Sequence, residues 1–348
     1  LTRRGGERII AENRTLADTM RRRKLLIALG AGMLAAPYAG LAQQQRVYRI
    51  GYLANQPDPR ATSSSFKAFV DALREQGWIE GKNIEIRIRS ARGRNEKFPE
   101  LAAELVRENV DIIVTTGAAS TQAAKAATDR IPIVFGSTAN PVEQEFVGSL
   151  ARPGGNLTGS AILVQELGPK RLQLLKELLP HVSRVGRLYP SLSLVDMQPA
   201  ITLEYDNAAR TLGIVLRHIK VAAAEDIEPA MATAARNRVE AVIMDADALF
   251  VVNRQRIVDL ALKHRLPLMG PDGRYAEAGA LVSYGENFAI LYRRAGFLVD
   301  KILRGAKPAD IPIERPMTFE LMLNLKTADA LGVAVPTPVL VRADRTFK

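Results

Sequence analysis

The chain has 348 residues, with 48 Lys and Arg against 37 Asp and Glu, three His, one Trp and no Cys. The missing Cys removes disulfide frameworks, thiolate nucleophiles, Cys-ligated metals and a lipid-modified N-terminal Cys. With 47% apolar and 24% charged residues the chain reads as globular, about two domains at ~150 residues each, and its net charge of +11 raises nucleic acid as a partner until the charges are placed.

The first element in chain order is an address label. Met20 is followed by Arg21, Arg22, Arg23 and Lys24, then by twelve apolar or small residues from Leu25 to Ala36, and by Gly40 and Ala42 ahead of three Gln. A basic segment, a short apolar core and small residues are the three parts of a secretory signal peptide. Twelve residues are too few to span a bilayer, so no stable membrane insertion is expected. Export by the general or the twin-arginine route fits equally, and residues 1–19 precede a better start at Met20. Residues 1–42 are therefore set aside as N-terminal extension and signal peptide, which implies a periplasmic location. They carry eight basic and three acidic side chains, so 40 basic and 34 acidic remain elsewhere, a net of only +6. Arg87, Arg89, Arg92 and Arg94 are the densest basic piece. They alternate with Ile86 and Ile88 as on a half-solvated strand, and no aromatic residues interleave to stack bases. Nucleic acid is not expected as a partner.

The body alternates short apolar runs with 3.6-residue patterns, as parallel sheets covered by helices do. Strands are predicted at 48–54, 84–88, 111–115 and 131–135, with helices at 66–76, 99–108, 120–128 and 142–150. Residues 151–159, Ala-Arg-Pro-Gly-Gly-Asn-Leu-Thr-Gly, read as a linker. Helices at 167–179, 199–212, 227–237 and 254–264 then alternate with strands at 185–189, 214–220, 241–245, 267–269 and 281–284. A long helix at 289–303 carries the stripe Leu291, Tyr292, Ala295, Leu298, Val299 and Ile302, and Gly305 and Pro308 stop it. The fold class is α/β, with two doubly wound parallel-sheet lobes and a ligand cleft between them.

No Gly-x-Ser-x-Gly, His-Glu-x-x-His or post-strand Gly-x-Gly-x-x-Gly occurs, and no enzyme is expected. The segment Gly77-Trp78-Ile79-Glu80-Gly81-Lys82-Asn83 is one residue short of a P-loop and sits between a helix and a strand, so it reads as a loop. Asn156-Leu157-Thr158 matches a glycosylation sequon but reads as a turn behind a bacterial-type signal. His181, His218 and His264 lie in separate segments without ligand spacing, so neither a metal nor another cofactor is expected. Asp245 and Asp247 could serve acid–base work, a divalent ion or a ligand ammonium.

In open α/β sheets ligands sit beyond the carboxyl ends of the strands. The loops there hold Asn55 after the first strand, then Thr116, Gly117, Ala118, Ser120 and Thr121 after the third, and Ser137 after the fourth. On the second lobe they hold Tyr189, then Asp245 and Asp247, then Asp272. The small, hydroxyl-rich loop at 116–121 opens a helix whose free N–H groups can hold a carboxylate; plain N-capping by Ser120 or Thr121 is the compatible alternative. The first lobe thus offers anion donors and the second offers carboxylates with Tyr189 or Tyr284, a polarity that fits a zwitterion.

Several segments together resemble one known family. They are Ile50-Gly-Tyr-Leu-Ala54, Ala139-Asn-Pro-Val142 leading into Ser149–Gly159, Arg256–Pro267, Ser283-Tyr-Gly285, Tyr292–Pro312 and Phe319–Gly332. Over residues 47–348 the chain resembles ABC-transporter substrate-binding proteins of the periplasmic-binding type I fold, in the branch with tryptophan- and phenylalanine-binding members. The family often has Asp where Asn140 stands. The resemblance implies capture of a small solute by hinge closure and delivery to a permease driven by an ATPase. It also implies three crossings between lobes, with lobe 1 at 43–160 plus 286–316 and lobe 2 at 161–285 plus 317–348. The expected ligand is an aromatic or branched amino acid: its carboxylate on the 118–121 segment and Ser137, its ammonium on Asp245 or Asp247, its side chain among Tyr52, Tyr189 and Tyr284. A sensory subunit that reports ligand to a membrane receptor without transport remains the alternative. A regulator of the same fold would need a DNA-binding module where the signal peptide stands. An exported chain without Cys is expected to diffuse freely, without a lipid anchor.

Overall fold

Alternating apolar periods translate into two sheets in the computed structural model, which describes residues 46–162, 167–190, 199–315 and 319–348. The signal peptide expected at 20–42 lies outside these residues. Residues 47–348 form one unit.

The first sheet is all parallel, with strand order β2-β1-β3-β4-β5. Its strands are β1 (Tyr48–Ala54), β2 (Ile84–Ser90), β3 (Ile112–Thr115), β4 (Ile133–Ala139) and β5 (Leu157–Ile162). Between them run α1 (Ser64–Glu75), α2 (Phe98–Arg107) and α3 (Ala118–Ala127). Helix α1 begins where the Ser63 hydroxyl accepts from the Phe66 N–H at 3.1 Å, and it buries Phe66, Phe69, Ala72 and Leu73. Such a cap satisfies one of the first-turn donors that a helix cannot satisfy itself.

Two expectations fail in this half. Residues 142–150 form turns, with Asn140 and Glu145 in the left-handed region at φ 44° and 56°, which no helix accommodates. The Phe146 and Val147 N–H groups both turn back to the Pro141 carbonyl. Residues 151–159 are no linker between sheets either, because from Leu157 the chain enters β5, paired in parallel with β4.

The second sheet has the order β12-β11-β10-β9-β8-β6-β7. Its strands are β6 (Arg184–Pro190), β7 (Val215–Val221), β8 (Ala241–Met244), β9 (Leu268–Gly270), β10 (Val282–Glu286), β11 (Phe319–Asn324) and β12 (Arg345–Phe347). Helices α4 (Leu167–Leu178), α5 (Pro199–Thr211), α6 (Ile227–Arg236) and α7 (Arg254–Lys263) cover it. The sheet is parallel except that β11 runs antiparallel to β10. The cause is the path between them: the chain leaves the end of β10 for the first sheet and comes back at that same end, so β11 must run the other way.

That excursion is helix α8 (Phe288–Leu303), which packs with β1 and α1 in the first core. A Cβ on Gly296 would stand 2.7 Å from the Ala72 Cβ and 2.9 Å from the Phe69 carbonyl, so glycine sets how closely α8 and α1 approach. The chain passes between the sheets after Ile162, at Asn287 and after Glu314. The crossings are tied together. The Ala161 N–H donates to the Glu314 carbonyl at 2.8 Å, and the Asn287 amide donates to Glu320 Oε1 at 2.6 Å.

Candidate functional site

The carboxyl ends of both sheets face a cavity of about 380 Å³, the size of a small-molecule site. Nine of the sequence-expected residues line it: Tyr52, Asn55, Thr116, Gly117, Ala118 and Ser120, with Ser137, Asp245 and Asp247. Among the described residues its wall contains no histidine, and no group of acidic and histidine side chains could hold a metal ion.

On the first-sheet side, Gly117 at φ 140° lets the chain turn from β3 into α3. The Gly117 carbonyl accepts from the hydroxyls of Ser120 at 3.0 Å and Thr121 at 2.8 Å, while Ser120 Oγ accepts from the Thr116 N–H at 3.0 Å. These bonds brace the turn, and no side chain caps the first-turn N–H groups of α3. Thr121 supports this turn from behind. It is fully buried against Thr115 and is absent from the wall. Asn55 uses its Oδ1 to accept from the Gly93 N–H at 2.9 Å, holding the neighbouring loop. Beside Ser137, Thr138 lines the cavity with a buried hydroxyl that has no hydrogen-bond partner.

Tyr52 reaches the wall but lies mostly in the core, with the Phe66 ring 4.9 Å away edge-on. Burial and the nearby Tyr292 push its phenol well above the usual range. Tyr292, read from the sequence as part of a core stripe, also lines the cavity. Its phenol is pushed up to about 12 by burial, with Ser137 pulling the other way. Gly136 makes room for it, since a Cβ there would stand 2.4 Å from the ring.

The second-sheet side is a set of charges. Asp245 is held by Arg187, which is wholly buried: Nε donates to Oδ1 at 3.1 Å and Nη2 to Oδ2 at 2.6 Å. The Arg187 guanidinium also lies 4.0 Å over the Tyr205 ring. Asp272 is 1% exposed and does not reach the wall; it clamps Arg274, which does, through bonds of 2.7 and 2.8 Å. Arg274 in turn covers the Phe288 ring at 4.4 Å.

Two wall charges have no opposite charge beside them among the described residues. Asp247 accepts only from the Leu249 N–H, at 2.7 Å, and burial raises its carboxyl above the usual value, with that N–H opposing and Asp245 adding to the rise. Arg171 donates only to main-chain carbonyls, Nε to Tyr284 at 2.7 Å and Nη2 to Pro271 at 2.8 Å.

Tyr189 and Tyr284 do not come to the cavity. Tyr189 packs against the second core with its ring edge toward His218. Tyr284 stacks on Phe319, and only its carbonyl serves the site, through Arg171. The residues that sequence reasoning missed, Arg171, Tyr205 and Arg274, sit on helices. Arg274 lies two residues past Asp272 in a loop already singled out, whereas Arg171 and Tyr205 carry no local signal.

The comparisons agree with this geometry. A sequence model of the ABC transporter substrate binding protein family matches residues 59–347. The chain belongs to that family. The chain is 26% identical over 292 residues to a tyrosine-binding protein of Clostridioides difficile, covering 84% of this chain and 82% of that one. A conserved domain protein of Vibrio cholerae superposes with a TM-score of 0.78 at 26% identity, covering 86% of this chain and 99% of that one. An ABC domain from Streptococcus pneumonia in complex with L-Trp does so with a TM-score of 0.77 at 24% identity and the same coverage, a likeness of fold. These substrate-binding proteins share the type I periplasmic-binding architecture of two parallel-sheet lobes. No helix among the described residues is long and apolar enough to cross a membrane.

Proposed function

We propose that this family member is the periplasmic receptor of an ABC importer, and that it binds an aromatic or branched amino acid and hands it to a permease coupled to an ATPase. One observation carries the amino-acid reading. The cavity is lined by the uncapped N-terminus of α3 on one lobe and, on the other, by Asp247, a carboxylate without a cation among the described residues. An α-carboxylate suits the first and an α-ammonium the second. Asp245 is set aside as an ammonium partner because Arg187 already neutralises it. The tyrosine-binding relative supports the same class of ligand.

The lobes, expected at 43–160 plus 286–316 and 161–285 plus 317–348, would divide a few residues away, after Ile162, at Asn287 and after Glu314, and close about these three crossings when ligand bridges them. Export would use the segment at 20–42. A thermal-shift panel of amino acids, small acids, sugars and polyamines tests the reading. At 100 times its dissociation constant the ligand adds roughly 2.7 kcal/mol of stability. A shift with simple acids or sugars and with no amino acid would overturn it.

A further inference from the structure

We propose that Arg171 reads a hydrogen-bond acceptor at the far end of the ligand's side chain, so that the receptor prefers a phenolic amino acid to its phenyl analogue. This rests on the amino-acid reading above and goes beyond it by naming the side chain and the residue that selects it.

Four charged side chains line the cavity, Arg171, Asp245, Asp247 and Arg274. Arg274 is neutralised by Asp272 and Asp245 by Arg187. Asp247 and the α3 N-terminus line the same cavity and suit the ligand's own zwitterion. Arg171 remains. It is 4% exposed, lines the cavity, and is satisfied only in part by the two carbonyls. A guanidinium has five N–H donors, and three of these have no partner among the described residues. A cation taken out of water without an anion is costly, and a bound group that accepts from it relieves that cost.

The apolar part of the cavity wall bears on what accompanies the acceptor. Ile162, Ile201 and Tyr205 line the same cavity. The Tyr205 ring is fixed between the Arg187 guanidinium and Gly168, where a Cβ would approach it to 2.5 Å. Aliphatic and aromatic faces ending in a buried donor fit a flat ring that carries a hydroxyl. Arg171 itself is held in place, because Gly285 leaves the room it needs: a Cβ there would stand 3.2 Å from its Nη2 and 1.9 Å from the Pro271 carbonyl oxygen.

Calorimetric titration of L-tyrosine and L-phenylalanine into the wild-type protein, Arg171→Lys and Arg171→Met tests this. The wild type should favour tyrosine by roughly 10- to 100-fold, the factor a hydrogen bond to a charged group supplies. In Arg171→Met that ratio should fall to about one while phenylalanine binding persists, and Arg171→Lys should lie between. Equal weakening of both ligands in Arg171→Met, or no preference in the wild type, overturns the proposal. Should Arg171→Met fail to fold, 4-carboxy-L-phenylalanine on the wild type decides: it should bind at least as tightly as tyrosine, and weaker binding than phenylalanine refutes the role. If no amino acid binds, the amino-acid reading itself fails, and this one with it.

Discussion

Asp245→Asn separates structural charge from ligand charge in this cavity. The substitution keeps the shape of the side chain and removes its charge, leaving Arg187 wholly buried beside a neutral amide, with Thr202 Oγ1 at 3.3 Å and His218 Nδ1 at 3.4 Å as its other polar neighbours. Breaking a buried pair by removing one partner costs about 3–5 kcal/mol. For a lobe of this size each kcal/mol lowers the melting temperature by about 2–4 °C, so a drop of roughly 6–20 °C is expected. Replacing both partners with leucine should recover most of the loss, since a well-packed apolar pair often matches a buried ion pair. Thermal melts followed by circular dichroism measure both variants. If Asp245→Asn melts within 1 °C of the wild type, the pair carries no structural weight, and Asp245 returns as an ammonium partner.

Asp247→Asn should behave in the opposite way. It should change stability little and weaken amino-acid binding by about 2–5 kcal/mol, the usual loss when one partner of a buried charged contact is removed. The same carboxylate sets a pH dependence. Its folded value is raised above 3.8 by burial, so its contribution to the stability of the free protein is lost as pH rises from 3.8 through that raised value. Ligand ammonium needs the ionised form, so affinity should fall as pH is lowered through the same window, and Asp247→Asn should flatten the profile. Gly285→Ala would place a Cβ 1.9 Å from the Pro271 carbonyl oxygen. It should cost about 1–3 kcal/mol by overpacking and weaken binding by shifting Arg171, which paired melts and titrations would reveal. Trp78, the single tryptophan, donates Nε1–H to Asp300 Oδ1 at 2.8 Å and does not line the cavity. Its emission should follow unfolding of the first lobe and respond weakly to ligand; strong quenching by direct contact with ligand would contradict its position.

The fold was legible where apolar spacing is set by burial. The stripe on α8 and the continuous apolar runs of β1, β3, β4 and β8 announce their elements because one face, or both, must leave water. Residues 142–150 misled because their apolar spacing suits a helix, while the backbone turns at Asn140 and Glu145 are fixed by contacts formed only in the folded chain. Strand β5 was hidden by the Pro and Gly residues just ahead of it. The antiparallel β11 follows from where α8 sends the chain, which no local pattern records.

At the site, the place of the small loop before α3 on the cavity wall was readable, because small and hydroxyl residues ahead of a helix form a local composition. Tyr189 and Tyr284 were placed by residue type alone, and their rings pack instead against the second core, beside His218 and Phe319. Asp245 and Asp247 look alike in sequence. Only the packing of Arg187 from β6 against the end of β8 tells the neutralised carboxylate from the free one.

A crystal structure of the protein with bound L-tyrosine tests the central claim most directly. The account predicts the α-ammonium within hydrogen-bond distance of an Asp247 carboxylate oxygen, the α-carboxylate on the first-turn N–H groups of α3, and the phenol oxygen on Arg171. An amino acid lying with its carboxylate on Arg171, or one that leaves Asp247 without a cation, would contradict it.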